Sequence, residues 1–126
     1  MSPTIKVVQP TGLLDGSKAN QVRREINECL EGGTQIVLLD LKDVTFIDSS
    51  GLGSLVSALK TVRSSGAKML ICSISDQVRI LFELTSMDRV FKVYANREEF
   101  EKEMASNPEI SPASKTAIEG KSARDD

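Results

Sequence analysis

In 126 residues, of which 40% are hydrophobic, the chain has room for one domain with a real core and shows nothing to suggest a second. A formal charge of -2, a pI near 5.2, four phenylalanines, one tyrosine and no tryptophan argue against a nucleic-acid surface, which needs a basic stripe and usually stacking aromatics. No histidine is present, which removes Ser/His and Cys/His nucleophile pairs and the commonest transition-metal ligand; two isolated cysteines cannot make a structural zinc site.

At the start of the chain, Met1-Ser2-Pro3-Thr4 lacks the charged and apolar regions of a signal peptide, and no apolar run approaches the roughly 18 residues of a membrane span. A cytoplasmic protein with no membrane contact is expected. Ile5 to Leu14 reads as a strand with partial alternation, and Pro10 within it points to an edge or a bulge, because proline cannot donate to a ladder. Gly12-Leu13-Leu14-Asp15 closes that strand. Asp15 or Ser17 can cap a helix to about Leu30, with Ala19, Val22, Ile26, Cys29 and Leu30 inward, charged residues outward and Gly32-Gly33 at its end.

Gln35 to Leu41 is a nearly continuous apolar run, the composition of a strand buried on both faces of a parallel sheet. The segment Lys42 to Ile47 is expected to be a loop whose apolar residues pack down and fix Asp48 and Ser49. Leu52, Leu55, Val56, Leu59 and Val62 then mark one face of a helix running to about Ser64. Lys68 to Cys72 is the next strand, Ser75 or Asp76 caps a third helix with Val78, Leu81 and Phe82 inward, and Val90 to Tyr94 is a last short strand. Asn96 with Glu99 forms a capping-box-like start to a final helix carrying Phe100 and Met104. Cys29 and Cys72 read as small core residues rather than a disulfide.

This alternation predicts an α/β sandwich with a mostly parallel central sheet of about four strands and about four helices. The domain is expected over residues 1–105, and a flexible polar tail over 106–126, where periodicity is lost. Within that tail Gly120-Lys121-Ser122 mimics the end of a P-loop, but Lys115 stands where the first glycine should be, so the match is taken as chance.

The stretch Asp48-Ser49-Ser50-Gly51-Leu52-Gly53 lies where a loop enters a helix, whose free N–H groups and positive dipole end suit a capping serine and can also hold a phosphate. The simpler alternative makes Ser49 or Ser50 only an N-cap, with Gly51 and Gly53 serving tight turning and close packing. Together with Gly12-Leu13-Leu14-Asp15 and Leu39-Asp40-Leu41, the stretch Phe46-Ile47-Asp48-Ser49-Ser50-Gly51-Leu52-Gly53 resembles the STAS domain, from Ile5 to about Met104. A freestanding domain with serine after the aspartate is similar to the family's bacterial anti-sigma factor antagonists rather than to its transporter tails.

The resemblance implies a phosphorylation switch with no cofactor or metal in this chain. Ser49 would be the acceptor, modified by an anti-sigma factor with serine kinase activity and restored by a metal-dependent serine phosphatase; the unphosphorylated form would bind the anti-sigma factor and the phosphorylated form release it. Asp48 either positions the serine hydroxyl or meets the kinase, or simply helps cap the helix. Ser50 is a second cap or contact, Gly51 and Gly53 allow close backbone approach, and Leu52 is core or a partner contact. Asp15 matches the family's aspartate, although Leu13 replaces the usual glutamate before it, and Asp15 can equally be only an N-cap. Family members commonly have an additional first strand, so the strand holding Pro10 is expected at an edge, either protected by the proline or paired with a second copy in a homodimer.

Two other functions compete. A small-molecule or nucleotide sensor would use the same strand-end crevice and helix start. A hydrolytic or acyl-transfer enzyme would need Ser49 as nucleophile with Lys42 as base, the weakest reading without a histidine.

Overall fold

A computed structural model of the chain describes residues 4–106. In chain order its elements are β1 (Ile5–Val8), β2 (Gly12–Leu14), α1 (Gly16–Glu31), β3 (Ile36–Asp40), β4 (Val44–Ile47), α2 (Ser49–Ser64), β5 (Lys68–Cys72), α3 (Asp76–Leu84), a 3-10 turn at Met87–Arg89, β6 (Val93–Tyr94) and α4 (Arg97–Ser106). Of the tail expected over 106–126, Ser106 is the last residue of α4, and the rest, with its P-loop-like triplet, lies outside the described residues.

Four strands form the main sheet in the order β1-β3-β5-β6, every neighbouring pair parallel. The inner strands are apolar at successive positions because both faces are covered. Val37, Leu39, Met69 and Ile71 point toward α1, α2 and α3, whose inward residues include Val22, Ile26, Leu55, Leu59, Val78 and Phe82. Ile36, Leu38, Leu70 and Cys72 point to the other face, which α4 covers with Phe100 and Met104. Aromatic contacts complete both layers: Phe82 stacks on Phe91 at 5.7 Å, and Tyr94 meets Phe100 edge-on at 5.6 Å. In α1 the buried residues are Ala19, Val22 and Ile26, while Cys29 and Leu30 are only half covered near the helix end.

Three expected boundaries are corrected. Ile5 to Leu14 is two strands, and Pro10 lies in the break between them, where no ladder needs its missing N–H. β1 is nevertheless an outer strand of the main sheet, with Ile5 and Val7 exposed. The expected loop at Lys42 to Ile47 contains β4, which pairs in parallel with β2 as a second, two-stranded sheet. The last strand is shorter than Val90 to Tyr94, because the Val90 and Phe91 amides are taken by the Met87 carbonyl at 3.0 and 2.9 Å.

The neighbouring strands β1 and β3 therefore pair, break together and resume as β2 and β4. The ladder restarts with Gly12 at φ +77°, a left-handed conformation that favours glycine, and its N–H donates to the Asp43 carbonyl at 2.8 Å. Its register shifts there, so that Gly12 opposes Val44 and Leu13 opposes Phe46. Polar side chains bridge the break: Gln9 Nε2 donates to Asp43 Oδ2 at 3.0 Å, and Arg97 donates through Nη2 to Gln9 Oε1 at 2.8 Å and through Nε to Asp40 Oδ2 at 2.7 Å. The other oxygen of buried Asp40 accepts the Lys42 amide at 3.0 Å, so its charge is both paired and hydrogen-bonded.

Candidate functional site

Two helices start side by side at the end of the second sheet. Leu14 opposes Ile47 in the β2–β4 ladder, so the next residues, Asp15 and Asp48, leave adjacent strands together. Both are N-caps: Asp15 Oδ1 accepts the Lys18 amide at 2.9 Å, and Asp48 Oδ1 accepts the Gly51 amide at 2.8 Å. A carboxylate at each cap also sits favourably against the positive end of its helix. The capping alternatives for Asp15 and Asp48 thus hold as structural roles, whatever else these residues meet. Ser17 is not the cap of α1, and neither Ser49 nor Ser50 is that of α2, since all three already lie inside the first turn of their helix.

The helices are held close by absent side chains. A Cβ on Gly16 would come within 3.3 Å of the Ser50 Cβ, and one on Gly51 would lie 2.0 Å from the Leu14 carbonyl oxygen. That carbonyl accepts the Asp48 amide at 3.3 Å, tying the start of α2 to the end of β2. Gly53 differs from the expectation. A Cβ there would meet nothing within 4 Å, so no packing contact within the described residues requires glycine at this exposed position.

Ser49 and Ser50 are both exposed, and among the described residues neither hydroxyl has a hydrogen-bond partner. Their amides, which belong to the first turn of α2, are likewise without partners there. The arrangement offers a reachable hydroxyl beside two open N–H donors at a helix start, able to accept a phosphoryl group and to hydrogen-bond the resulting anion. Asp48 is committed to its cap and makes no hydrogen bond to the Ser49 hydroxyl among the described residues. Leu52 is half-buried and packs on the main core, the core alternative drawn from the sequence. Lys42, the base considered for an enzymatic serine, lies across the whole of β4 from Ser49 and lines a different cleft.

That second cleft, of about 580 Å³, opens at the carboxyl ends of the main sheet between Gln9, Asp40, Lys42, Ser73, Asn96 and Arg97. The hydrogen bond to Asp40 raises the pKa of the Arg97 guanidinium, keeping it charged. A crevice shared between the sheet ends and the serine loop was expected; the second sheet separates the two. The Asp40–Arg97 pair spans 57 residues and had no local signal in the sequence. Both cysteines are free thiols whose pKa is raised, chiefly by burial. Among the described residues there is no group of three or more potential metal-binding side chains, and no helix is long and apolar enough to cross a membrane.

Comparison with known proteins places this geometry. The family model for the STAS domain matches residues 1–100. The anti-sigma F factor antagonist of Paenibacillus polymyxa is 27% identical over 93 residues, covering 73% of this chain and 80% of that protein. A crystal structure from Thermotoga maritima superposes with a TM-score of 0.73 at 30% identity, covering 80% of this chain and 87% of its own. The Bacillus cell fate determinant SpoIIAA, solved in its phosphorylated form, shares the fold with a TM-score of 0.60 at 17% identity, over 81% of this chain and 93% of that one.

Proposed function

From the premise that the chain belongs to the STAS domain family, we propose that it is a non-enzymatic anti-sigma factor antagonist, switched by phosphorylation of Ser49. The unmodified protein binds an anti-sigma factor with serine kinase activity in the cytoplasm; the modified protein releases it and is restored by a metal-dependent serine phosphatase. The observation that carries this reading is the exposed Ser49 hydroxyl, without a partner among the described residues and one position beyond the aspartate that caps α2.

The chemistry of the switch follows from the site. Phosphorylation adds a charge of about -1.5 to -2. At the first turn of α2 the open amides of Ser49 and Ser50 and the helix dipole stabilise that charge, so the fold tolerates it. The same charge lies next to the Asp48 and Asp15 carboxylates, inside the surface the partner must cover, where desolvating it costs binding energy. Ser50, Gly53 and the exposed part of Leu52 complete the partner-binding surface; Gly51, expected there too, is buried against β2 and serves that surface only by letting α2 close on the strand. Gly53 supports this role, because an exposed helical glycine costs about 1 kcal/mol relative to alanine and no contact among the described residues offsets it. A flat backbone is what a closely approaching partner requires.

Ser49→Ala is expected to stay bound to the kinase in the presence of ATP, and Ser49→Asp to bind poorly. If both variants bind like the wild type, Ser49 is not the switch. A homodimer through the β1 edge is a separate proposal, supported by exposed Ile5 and Val7. Solution scattering that shows only monomer at high concentration refutes it.

A second reading, a small-molecule or nucleotide sensor, is favoured by the polar cleft around Lys42, Asn96 and Arg97. A thermal-shift panel of nucleotides tests it. A ligand that stabilises the fold without any kinase supports the sensor, and a flat panel leaves the partner switch as the better account.

A further inference from the structure

Leu13 and Phe46 stand opposite each other in the β2–β4 ladder and are 49% and 42% exposed. Their neighbours Leu14 and Ile47, also a facing pair, are fully buried. Side chains alternate across a strand, so Leu13 and Phe46 share the outward face of the second sheet. Among the described residues they form an apolar pair left half in water. Each precedes a helix-capping aspartate by two positions, Leu13 before Asp15 and Phe46 before Asp48. Two residues of extended chain cover about 7 Å, which places the pair beside the first turn that carries Ser49.

We propose that Leu13 and Phe46 are the apolar anchor of the kinase-binding surface, receiving an apolar side chain of the anti-sigma factor while its active site addresses Ser49. The inference rests on the Ser49 switch and adds to it the source of the affinity that the phosphate must overcome. Geometry selects this occupant. A standard partner covers about 800 Å² of each protein, a patch roughly 16 Å in radius, so a protein centred on Ser49 covers the pair as well. Interface energy concentrates in a few well-packed residues near the centre of such a patch, and a facing leucine and phenylalanine provide apolar area there that is already held by the ladder. A second copy of the chain has a different apolar surface available on β1, where Ile5 and Val7 are exposed on the main sheet's outer strand.

The test uses the full chain and the serine kinase purified from the source cells by its transfer of phosphate from ATP to Ser49. Leu13→Ser and Phe46→Ser are expected to keep the wild-type melting temperature within a few degrees. Each is expected to raise the Kd for the kinase about tenfold or more, and to raise the KM for phosphorylation of Ser49 with little change in kcat. Phe46→Leu, which keeps the surface apolar, is expected to restore most of the affinity. Kd and KM values within about twofold of wild type in folded serine variants overturn the proposal while leaving the switch standing. Absence of any phosphate transfer to wild-type Ser49 overturns the switch, and this inference with it. A wild type that dimerises in sedimentation, with Leu13→Ser and Phe46→Ser monomeric, assigns the pair to a second copy and refutes the anchor role.

Discussion

Replacing Gly51 and Gly53 in turn by alanine separates a residue needed by the fold from one needed at the surface. A methyl on Gly51 would lie 2.0 Å from the Leu14 carbonyl oxygen, 2.9 Å from its carbon and 3.2 Å from Ile47 Cγ2. The first two are backbone atoms and cannot rotate away. Contact at about 3.4 Å requires the start of α2 to move off β2 by more than 1 Å, stretching the 3.3 Å hydrogen bond from the Asp48 amide to Leu14. Overpacking of this kind costs about 3 kcal/mol, and the better helix propensity of alanine returns at most about 1. The net loss of about 2 kcal/mol lowers the melting temperature of a domain this size by roughly 8–16 °C. Gly53→Ala meets nothing within 4 Å, gains about 1 kcal/mol and melts roughly 4–8 °C higher. Circular dichroism melts and urea unfolding of both variants provide the assay. A Gly51→Ala protein as stable as the wild type refutes the close approach of α2 to β2, and with it the physical account of this site. Under the switch proposal, Gly53→Ala has a second readout: it binds the kinase more weakly despite being more stable.

Three further outcomes are expected. Arg97→Ala strips the cation from a buried carboxylate; breaking such a pair costs about 3–5 kcal/mol, reduced here to about 2 because the Arg97 side chain is 45% exposed, and adding Asp40→Asn should recover about 1 kcal/mol of that loss in urea titrations. Tyr94→Phe removes a buried hydroxyl that has no partner in the described structure and should stabilise the protein by about 1 kcal/mol at neutral pH. Burial raises the Tyr94 pKa above its ordinary value of 10.0, so the unfolded chain ionises first: stability is retained below about pH 10 and lost as pH rises beyond it, a loss absent from Tyr94→Phe, and ultraviolet titration reads the sole tyrosine directly. In alkylation followed by mass spectrometry, half-exposed Cys29 should be labelled in the native state and buried Cys72 only when urea opens the fold.

The strands at Ile36–Asp40 and Lys68–Cys72 were legible because covering both faces of a sheet leaves an unbroken apolar run. The start of α2 was legible for a similar reason, as helical spacing begins at Leu52 directly after cap-type residues. Choosing among three adjacent cap candidates was harder: Asp48, Ser49 and Ser50 have nearly equal cap preference, and the choice falls to Asp48 because β4 ends at Ile47. The second sheet was hidden for two reasons. Strands of three and four residues hold too little alternation to read, and Lys42-Asp43 carries the polarity of a loop. Gly51 and Gly53 look alike in sequence, since what distinguishes them is a carbonyl 37 residues away from the first of them. Leu13 reads as an ordinary strand residue and Phe46 as part of a loop until the ladder sets them opposite each other on a face that no described residue covers fully.

The bridge made by Arg97 also bears on how the chain is born. Its guanidinium binds Asp40, 57 residues earlier, and Gln9, 88 residues earlier. A nascent chain can form β1, β3 and β5 and dock its first two helices while Asp40 still has no cation beside it. Translation at about 5–20 residues per second leaves that carboxylate unpaired for several seconds before Arg97 is added. A chain ending within α3 therefore has the strands β1, β3 and β5 and the first two helices but lacks the cation that pairs with Asp40. Gln9 and Asp43 bridge the joint early, but the charge on Asp40 is answered only when the last helix begins, so the final element of the domain completes its first-formed strands.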